Sequence, residues 1–218
     1  MTDPAFPFPA LGLVHVANEL TVAGPLPLDG SLDVEVHAGA VRPHPHGRVV
    51  DLVTSVRCNG RPAWTGTSTY LRRGRPAVGS GNPSAPTEPG VEEVPSDAAA
   101  EPEGPPLHLS ARRRLGADLG RRYAAVSGDL NPIHLSALTA RPLGFPRAIA
   151  HGMWTAAAVL GCLQGRLPDV FTYTVQFRRP ITLPATVDVH TGLGAREIVA
   201  QVRGRDGRVH LDAVVAKL

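Results

Sequence analysis

The stretch YAAVSGDLNPIHLSALTARPLGFPRAIAHGM, residues 123–153, is the most informative part of this 218-residue chain. Gly128 is predicted to end a helix, because glycine adopts the left-handed cap conformation without steric cost. Asn131 followed by Pro132 is predicted to begin the next helix, since asparagine caps the first exposed N–H groups and proline fits the first helical position. The pattern therefore predicts a helix, a short turn and a second helix.

Two ionisable side chains flank this predicted turn. Asp129 follows the first helix and His134 lies in the first turn of the second, so we expect the carboxylate and the imidazole to converge on one point. Such a pair can hold a water molecule and move its protons, which is general acid–base chemistry. From these residues alone a purely structural interpretation stays open, in which Asp129 caps a helix and His134 packs in the core.

The same stretch resembles the signature of the MaoC-like, (R)-specific enoyl-CoA hydratase family. In that signature a tyrosine precedes S-G-D-x-N-P-x-H, and a later I-A-H-G-M begins a buried helix. The matching residues of this chain are Tyr123, Ser127, Gly128, Asp129, Asn131, Pro132, His134, Ile149, Ala150, His151, Gly152 and Met153. The resemblance covers the chain from about Leu107 to its end. The segment from Val50 to Leu71 is more loosely similar to the first repeat of two-repeat bacterial members.

The resemblance implies an α+β hot-dog fold. It also implies reversible hydration of trans-2-enoyl thioesters to (R)-3-hydroxyacyl thioesters, or the reverse dehydration, in fatty-acid metabolism. Asp129 and His134 would share one catalytic water, and Asn131 would belong to the substrate-binding set. No metal or redox cofactor is expected, and coenzyme A or acyl carrier protein would carry the acyl group. Some single-domain members place a serine later in the helix, where this chain has only Ala156, Ala157 and Ala158.

The implied chemistry gathers negative charge on the thioester oxygen, which calls for backbone donors in a site shielded from water. Gly152 begins the predicted helix, so its N–H has no partner within that helix and carries the positive end of the helix dipole. Gly152 is therefore the oxyanion candidate, while close packing is the alternative reason for a glycine there. His151 is expected to fix the loop. Arg178 or Arg179 is a weaker candidate for contact with a substrate phosphate, because arginines at sheet edges are commonly just solvated.

The rest of the chain divides into two strand-rich parts. Residues 1–72 are predicted as four successive antiparallel strands without a long helix, which makes them a truncated or degenerate first repeat of a tandem hot dog. Residues 107–218 are predicted as a complete second repeat, in which the uncharged helix of residues 153–165 is buried all round and a strand meander follows. Residues 73–106, rich in proline and glycine, are a predicted linker.

The helix missing from the first part has two explanations. Either the true start codon lies upstream, or the strands leave an apolar face that a partner covers. Two repeats are expected to mimic the dimer that single-repeat members form, and a further homodimer is expected. Asn59-Gly60 predicts a tight hairpin, since both residues tolerate positive φ.

Composition and spacing argue against several classes of protein. The formal charge is +3 and the pI about 9.3, with Lys217 the single lysine among 22 basic residues, which indicates genome bias more than contacts with nucleic acid. Cys58 and Cys162 lack the spacing of a disulfide or zinc framework. His44 and His46 lack a third ligand for a metal. No signal peptide or membrane span is visible, so a cytoplasmic location is expected.

A second function from a different class stays open. The scaffold could serve as a non-catalytic acyl-thioester-binding or assembly subunit, because a truncated first repeat would remove part of a substrate tunnel. Thioesterase activity is the weaker alternative, since water would have to be directed at the carbonyl carbon and the arrangement of Asp129 and His134 resembles that of hydratases.

Overall fold

The computed structural model describes residues 12–27, 29–74 and 104–218. Before the gap that follows residue 74, the strands are β1 (Val14–Val22), β2 (Leu32–Ala38), β3 (Arg42–His44), β4 (Gly47–Cys58) and β5 (Arg61–Arg73). After it come β6 (His108–Leu115), β7 (Phe171–Phe177), β8 (Ala185–Leu193), β9 (Glu197–Gly204) and β10 (Val209–Lys217). The α-helices are α1 (Leu119–Ser127), α2 (Ala137–Ala140) and α3 (Gly152–Cys162), and single 3-10 turns span Pro132–His134 and Arg141–Leu143.

All ten strands lie in one antiparallel sheet. Its order is β2-β4-β5-β1-β7-β10-β9-β8-β6, with β3 paired to β4. Strand β1 pairs with β7, with Ala17 opposite Gln176 and Val22 opposite Phe171. The two parts of the chain, called the first half (residues 12–74) and the second half (residues 104–218) from here on, therefore share a continuous sheet.

Each half follows the same pairing scheme. In the first half β1 pairs with the last strand, β5, and in the second half β7, the first strand after α3, pairs with the last strand, β10. The prediction of strands paired in simple succession is therefore wrong at β1 and β7. Residues 23–31 and 178–184, which follow these strands, are too long for the tight turns that join neighbouring strands. Where the connection is tight, as at Asn59 and Gly60 with φ values of 50° and 76°, the predicted hairpin is confirmed.

The main core lies between α3 and the sheet of the second half. Its members are apolar side chains at most 8% exposed, among them Ala156, Val159, Leu163, Phe171, Tyr173, Val175, Val189, Val202 and Leu211. The buried hydroxyl of Tyr173 donates to the carbonyl of Ala156 at 2.9 Å, which fixes the helix on the strand.

The prediction that this helix is buried all round is wrong. Met153, Ala157 and Gly161 are exposed, and their spacing of four residues places them in one stripe opposite the buried face. The sheet covers a single face of α3, and within the described residues no second element covers the other. No described helix is long and apolar enough to cross a membrane.

The described residues of the first half contain no helix, and residues 1–11 lie outside the described part of the chain. Every residue of β2 is exposed, and Leu32, Val34 and Val36 are each more than half exposed. Most of the predicted linker, residues 75–103, also lies outside the described residues. Its last part, however, is packed on the second half, because a Cβ at Gly192 would lie 2.5 Å from the carbonyl oxygen of Pro105.

Candidate active site

The loop that carries Asp129 begins where the sequence predicts. Helix α1 ends at Gly128 with a φ of 72°, and the Gly128 N–H donates to the carbonyl of Ala124 at 2.9 Å. The side chain of Asn131 then accepts from the N–H of Ile133 at 3.5 Å, and Pro132 takes the first position of the next element. That element is a single 3-10 turn and not the predicted helix, because Ser136 caps the separate helix α2 almost immediately.

Close packing places the 3-10 turn against α1. A Cβ added at Gly120 would lie 1.8 Å from the carbonyl oxygen of His134, a separation that no side chain can occupy. Gly120 therefore allows the backbone of His134 to approach the helix. Sequence reasoning missed this residue, although a glycine inside a helical pattern is a signal of close approach.

His134 is 7% exposed, and its Nδ1 lies 2.8 Å from the carbonyl oxygen of Ile149. A carbonyl only accepts, so Nδ1 carries the proton of the neutral ring and Nε2 is left with a lone pair. Burial and, to a smaller extent, the neighbouring His151 lower the pKa of His134 to about 4, against the opposing effects of the Ile149 carbonyl and Asp129. At neutral pH the ring is therefore an uncharged proton acceptor.

His151 lies directly beside His134. The two rings stack with centroids 3.7 Å apart and planes inclined by 25°, and His151 is 2% exposed. Its Nε2 lies 3.1 Å from the backbone carbonyl of Asp129 and donates to it. Burial lowers the pKa of His151, which keeps this ring neutral as well. These contacts agree with the predicted role of fixing the loop.

The carboxylate of Asp129 is held mainly by backbone. One oxygen accepts from the N–H of Asn131 at 3.1 Å, and the other lies 3.8 Å from Nε2 of His151. The Asp129 side chain is 52% exposed, so it faces the open side of the site. The N–H of Asn131 thus orients the carboxylate in a chain that has alanines where some relatives of similar signature carry a serine.

The structure brings Asp129 and His134 together. One ligand-type atom from each of Asp129, His134 and His151 lies within 4.8 Å of the others. Three such groups are enough in number to hold a metal ion. A metal must lie near the plane of each ligating ring, however, and two stacked rings inclined by 25° do not share such a point without rotating. The absence of a metal stays a prediction.

A cleft of about 1560 Å³ opens over these residues, and both halves of the chain line it. Gly152 begins α3 at its wall, and a Cβ there would lie 3.0–3.2 Å from the ring of Phe177. Both interpretations of Gly152 therefore hold geometrically: its N–H is at a helix start, and a side chain there would press on the ring of Phe177.

The two weaker site candidates differ in what they contact. Asn131 lines the cleft, and its side-chain amide donates to the carbonyl of Leu13 in the first half at 3.2 Å, so it ties the site loop to the other half. Arg178 donates to Asp212 at 2.6 Å. Arg179 is exposed at the rim of the cleft, and its backbone N–H donates to the carbonyl of His210 at 3.3 Å.

The first half contributes two side chains that sequence reasoning missed. His15 and Tyr70 line the same cleft, and their rings stack with centroids 4.6 Å apart. Burial raises the pKa of Tyr70, and the negative charge of Asp129 raises it further. A histidine between the apolar residues Val14 and Val16 was the available signal.

A continuous antiparallel sheet with a helix on one face, and the Asp129–His134 pair beside the start of that helix, define this chain as a hot-dog protein with a candidate hydro-lyase site. The family described as the MaoC-like domain matches residues 98–215. The chain belongs to the MaoC-like dehydratase family.

Known proteins support this membership. The 3-hydroxyacyl-thioester dehydratase X of Mycobacterium tuberculosis is 38% identical over 215 residues, which cover 98% of this chain and 71% of that protein. A crystal structure of HtdX from the same organism superposes with a TM-score of 0.79 at 38% identity, over 98% of this chain and 80% of that one. The (R)-specific enoyl-CoA hydratase of Aeromonas caviae is 41% identical over 56 residues, 26% of this chain and 42% of that protein.

A more distant structure shares the fold alone. The full-length peroxisomal multifunctional enzyme type 2 of Drosophila melanogaster is 22% identical and superposes with a TM-score of 0.69, over 93% of this chain and 36% of that one. The predicted hot-dog fold is thus confirmed at the level of the family, and the residue roles stay predictions.

Proposed function

We propose that this protein catalyses the reversible hydration of trans-2-enoyl thioesters to (R)-3-hydroxyacyl thioesters, or the reverse dehydration, in fatty-acid metabolism. One observation carries the proposal. His134 is neutral, its Nδ1 is occupied by the Ile149 carbonyl, and a nitrogen of its ring lies within 4.8 Å of a carboxylate oxygen of Asp129. This arrangement suits a shared water molecule.

In the hydration direction, His134 and Asp129 share the two proton transfers of the reaction, the removal of a proton from water and the delivery of a proton to C2. Nε2 of His134 removes a proton from the water as its oxygen forms a bond to C3 of the enoyl group. The electron pair of the C2–C3 double bond shifts towards the thioester oxygen. The proton taken by His134 passes to the Asp129 carboxylate, which delivers it to C2 as the carbonyl re-forms. The atoms of one water are thereby added across the double bond, and both residues return to their starting states.

Between attack at C3 and protonation at C2, negative charge gathers on the thioester oxygen. A hydrogen-bond donor held in a fixed position stabilises this enolate-like oxygen. The N–H of Gly152 at the start of α3 is suited to this task because the helix dipole adds to its positive potential. A Cβ on Gly152 would lie 3.0–3.2 Å from the ring of Phe177, so a side chain there would displace that ring. Water exclusion near this N–H strengthens the interaction.

Coenzyme A or acyl carrier protein is proposed as the carrier, with no further cofactor, and the exposed Arg179 is the candidate for contact with a carrier phosphate.

The tandem architecture is also a proposal. It is supported by the repeated pairing of β1 with β5 and of β7 with β10, and by the central pairing of β1 with β7. The homodimer and the cytoplasmic location stay expectations from the sequence.

The test is the disappearance of the ultraviolet absorbance of crotonyl-CoA and of a longer trans-2-enoyl-CoA. Asp129→Asn and His134→Ala are each expected to lower kcat by on the order of a hundredfold or more, and the wild-type product is expected to be the (R) enantiomer on chiral separation. Asp169→Asn removes an exposed carboxylate outside the cleft and serves as the matched control. Folded wild-type protein that binds these thioesters without turnover would favour the binding-subunit function instead.

A further inference from the structure

The first half places an unpartnered nitrogen at the wall of the cleft. Nε2 of His15 is buried and has no hydrogen-bond partner among the described residues, yet the ring of His15 lines the same cleft as Asp129, His134 and Gly152. An unsatisfied buried polar atom costs on the order of 1–3 kcal/mol. Such an atom in a native structure requires an explanation, and a ligand that supplies the missing partner is one.

The protonation of His15 can be assigned from its surroundings. Burial lowers the pKa of His15 to about 4, while a hydrogen bond with the backbone of Ala17 and the charge of Asp129 oppose this shift. A backbone bond that raises the pKa of a histidine is one in which the ring donates to a carbonyl. Because Nε2 has no partner, the donor is Nδ1, and Nε2 of the neutral ring is an acceptor.

Two aromatic contacts fix the position of this acceptor. His15 stacks on Tyr70 with an interplanar angle of 16°, and its centroid lies 5.0 Å from that of Phe177. Phe177 in turn contacts the backbone of Gly152. His15 is therefore one aromatic ring away from the N–H proposed to hold the thioester oxygen, and it lies on the side that the first half supplies.

The chemistry of the substrate identifies what an acceptor there can bind. An enoyl thioester has no hydrogen-bond donor between its acyl end and its sulfur. The nearest donor is the amide N–H of the pantetheine arm, two methylene groups beyond the sulfur, which coenzyme A and acyl carrier protein have in common. One aromatic ring, Phe177, separates His15 from Gly152. This separation places His15 closer to the expected position of the pantetheine amide than to the reacting carbon atoms of the acyl group.

We propose that His15 is a positioning residue of the first half, whose Nε2 accepts a hydrogen bond from the pantetheine amide N–H nearest the thioester. Tyr70 holds the His15 ring by stacking. Phe177 is only partly buried, and it is the ring that moves to admit the amide. The proposal rests on the function proposed above and adds a carrier contact made by the half of the chain that lacks Asp129 and His134.

The experiment compares wild type with His15→Phe, which keeps the stacked ring and removes the nitrogen. Three crotonyl thioesters serve as substrates: the CoA ester and the N-acetylcysteamine ester, which retain the amide, and the S-propyl ester, which lacks it. We expect kcat/KM to fall about three- to tenfold for the two amide-bearing esters, as the loss of one neutral hydrogen bond implies, and to stay unchanged for the S-propyl ester. The Tm of the variant is expected to equal or exceed that of wild type, because an unpartnered buried nitrogen is removed.

Other outcomes would overturn the proposal. An equal loss on all three esters would indicate a structural role, and no loss on any would indicate no role. A loss seen only when (R)-3-hydroxybutyryl thioesters are dehydrated would assign the bond to the 3-hydroxyl group. Calorimetric binding of butyryl-CoA, which cannot be hydrated, tests the contact even if wild type shows no turnover: a dissociation constant raised about three- to tenfold in His15→Phe supports it, and an unchanged constant rejects it.

Discussion

The α-carbon of Gly120 lies directly against the carbonyl of His134, so close that a methyl group there would be 1.8 Å from the oxygen. The backbone that carries the proposed base is thus positioned by a residue with no functional group. Gly120→Ala is expected to displace the 3-10 turn, lower kcat at least tenfold and lower the Tm, because backbone cannot yield as a flexible side chain does. Steady-state kinetics and thermal unfolding measure both effects.

Gly161 provides the matched control. It lies in α3 with nothing within 4 Å of an added Cβ, so Gly161→Ala is expected to keep activity and to stabilise the fold by about 0.5–1 kcal/mol through helix propensity. Wild-type activity in Gly120→Ala would show that the turn can move without consequence.

His151→Phe separates the two contacts of His151. The substitution keeps a flat ring against His134 but removes the donor to the Asp129 carbonyl, which lies 3.1 Å away. We expect kcat to fall about tenfold as the Asp129 loop loses its anchor, since misplacing a catalytic group lowers the rate without removing it. A loss as large as that of His134→Ala would instead mean that His151 itself moves protons.

Arg179→Ala tests the proposed phosphate contact at the rim. The KM for crotonyl-CoA is expected to rise severalfold with little change in kcat, and the difference from wild type is expected to shrink at high salt, because exposed charges are screened. Arg178→Ala is the comparison, since its guanidinium already pairs with Asp212. A larger rise in KM in Arg178→Ala than in Arg179→Ala would mean that Arg178, and not Arg179, contacts the phosphate.

The pH profile follows from the lowered pKa of His134. A free histidine titrates near pH 6.5, but His134 accepts a proton in the folded state only near pH 4. The base form is therefore retained on acidification, and the acid limb of kcat/KM is expected well below pH 6.5. An acid limb centred at pH 6.5, in protein shown to be folded, would contradict the assignment of His134 as the base.

The lowered pKa values of His15 and His134 also determine the direction in which the free energy of unfolding changes with pH. Between about pH 6.5 and pH 4 the unfolded chain binds protons at His15 and His134 that the folded protein does not. The free energy of unfolding is therefore fully present above pH 6.5 and falls as the pH drops through this window. His15→Phe is expected to weaken this dependence in denaturant titrations at pH 7 and pH 5, and an identical slope in wild type and variant would refute it.

Local rules predicted the parts of the structure that local chemistry determines. The caps at Gly128 and Asn131 and the hairpin at Asn59 are confirmed because each depends on residues within one turn. The convergence of Asp129 and His134 was predictable for the same reason, since only a short connection separates them.

Long-range packing was beyond such rules. The pairing of β1 with β5 and β7 depends on burial across the whole sheet, as does the single buried face of α3. The place of His15 in the cleft depends on that pairing, because β1 carries it there from more than a hundred residues before His134. No periodicity in the sequence records a contact of that separation.

The seam between β1 and β7 has an evolutionary consequence. On one side lie the groups proposed to move protons, and on the other lies the wall that His15 and Tyr70 provide. Selection can therefore alter the wall, and with it the choice of thioester, while the proton-moving residues stay unchanged. The bond between the Asn131 side chain and the Leu13 carbonyl is one contact through which a substitution in one half can shift the other.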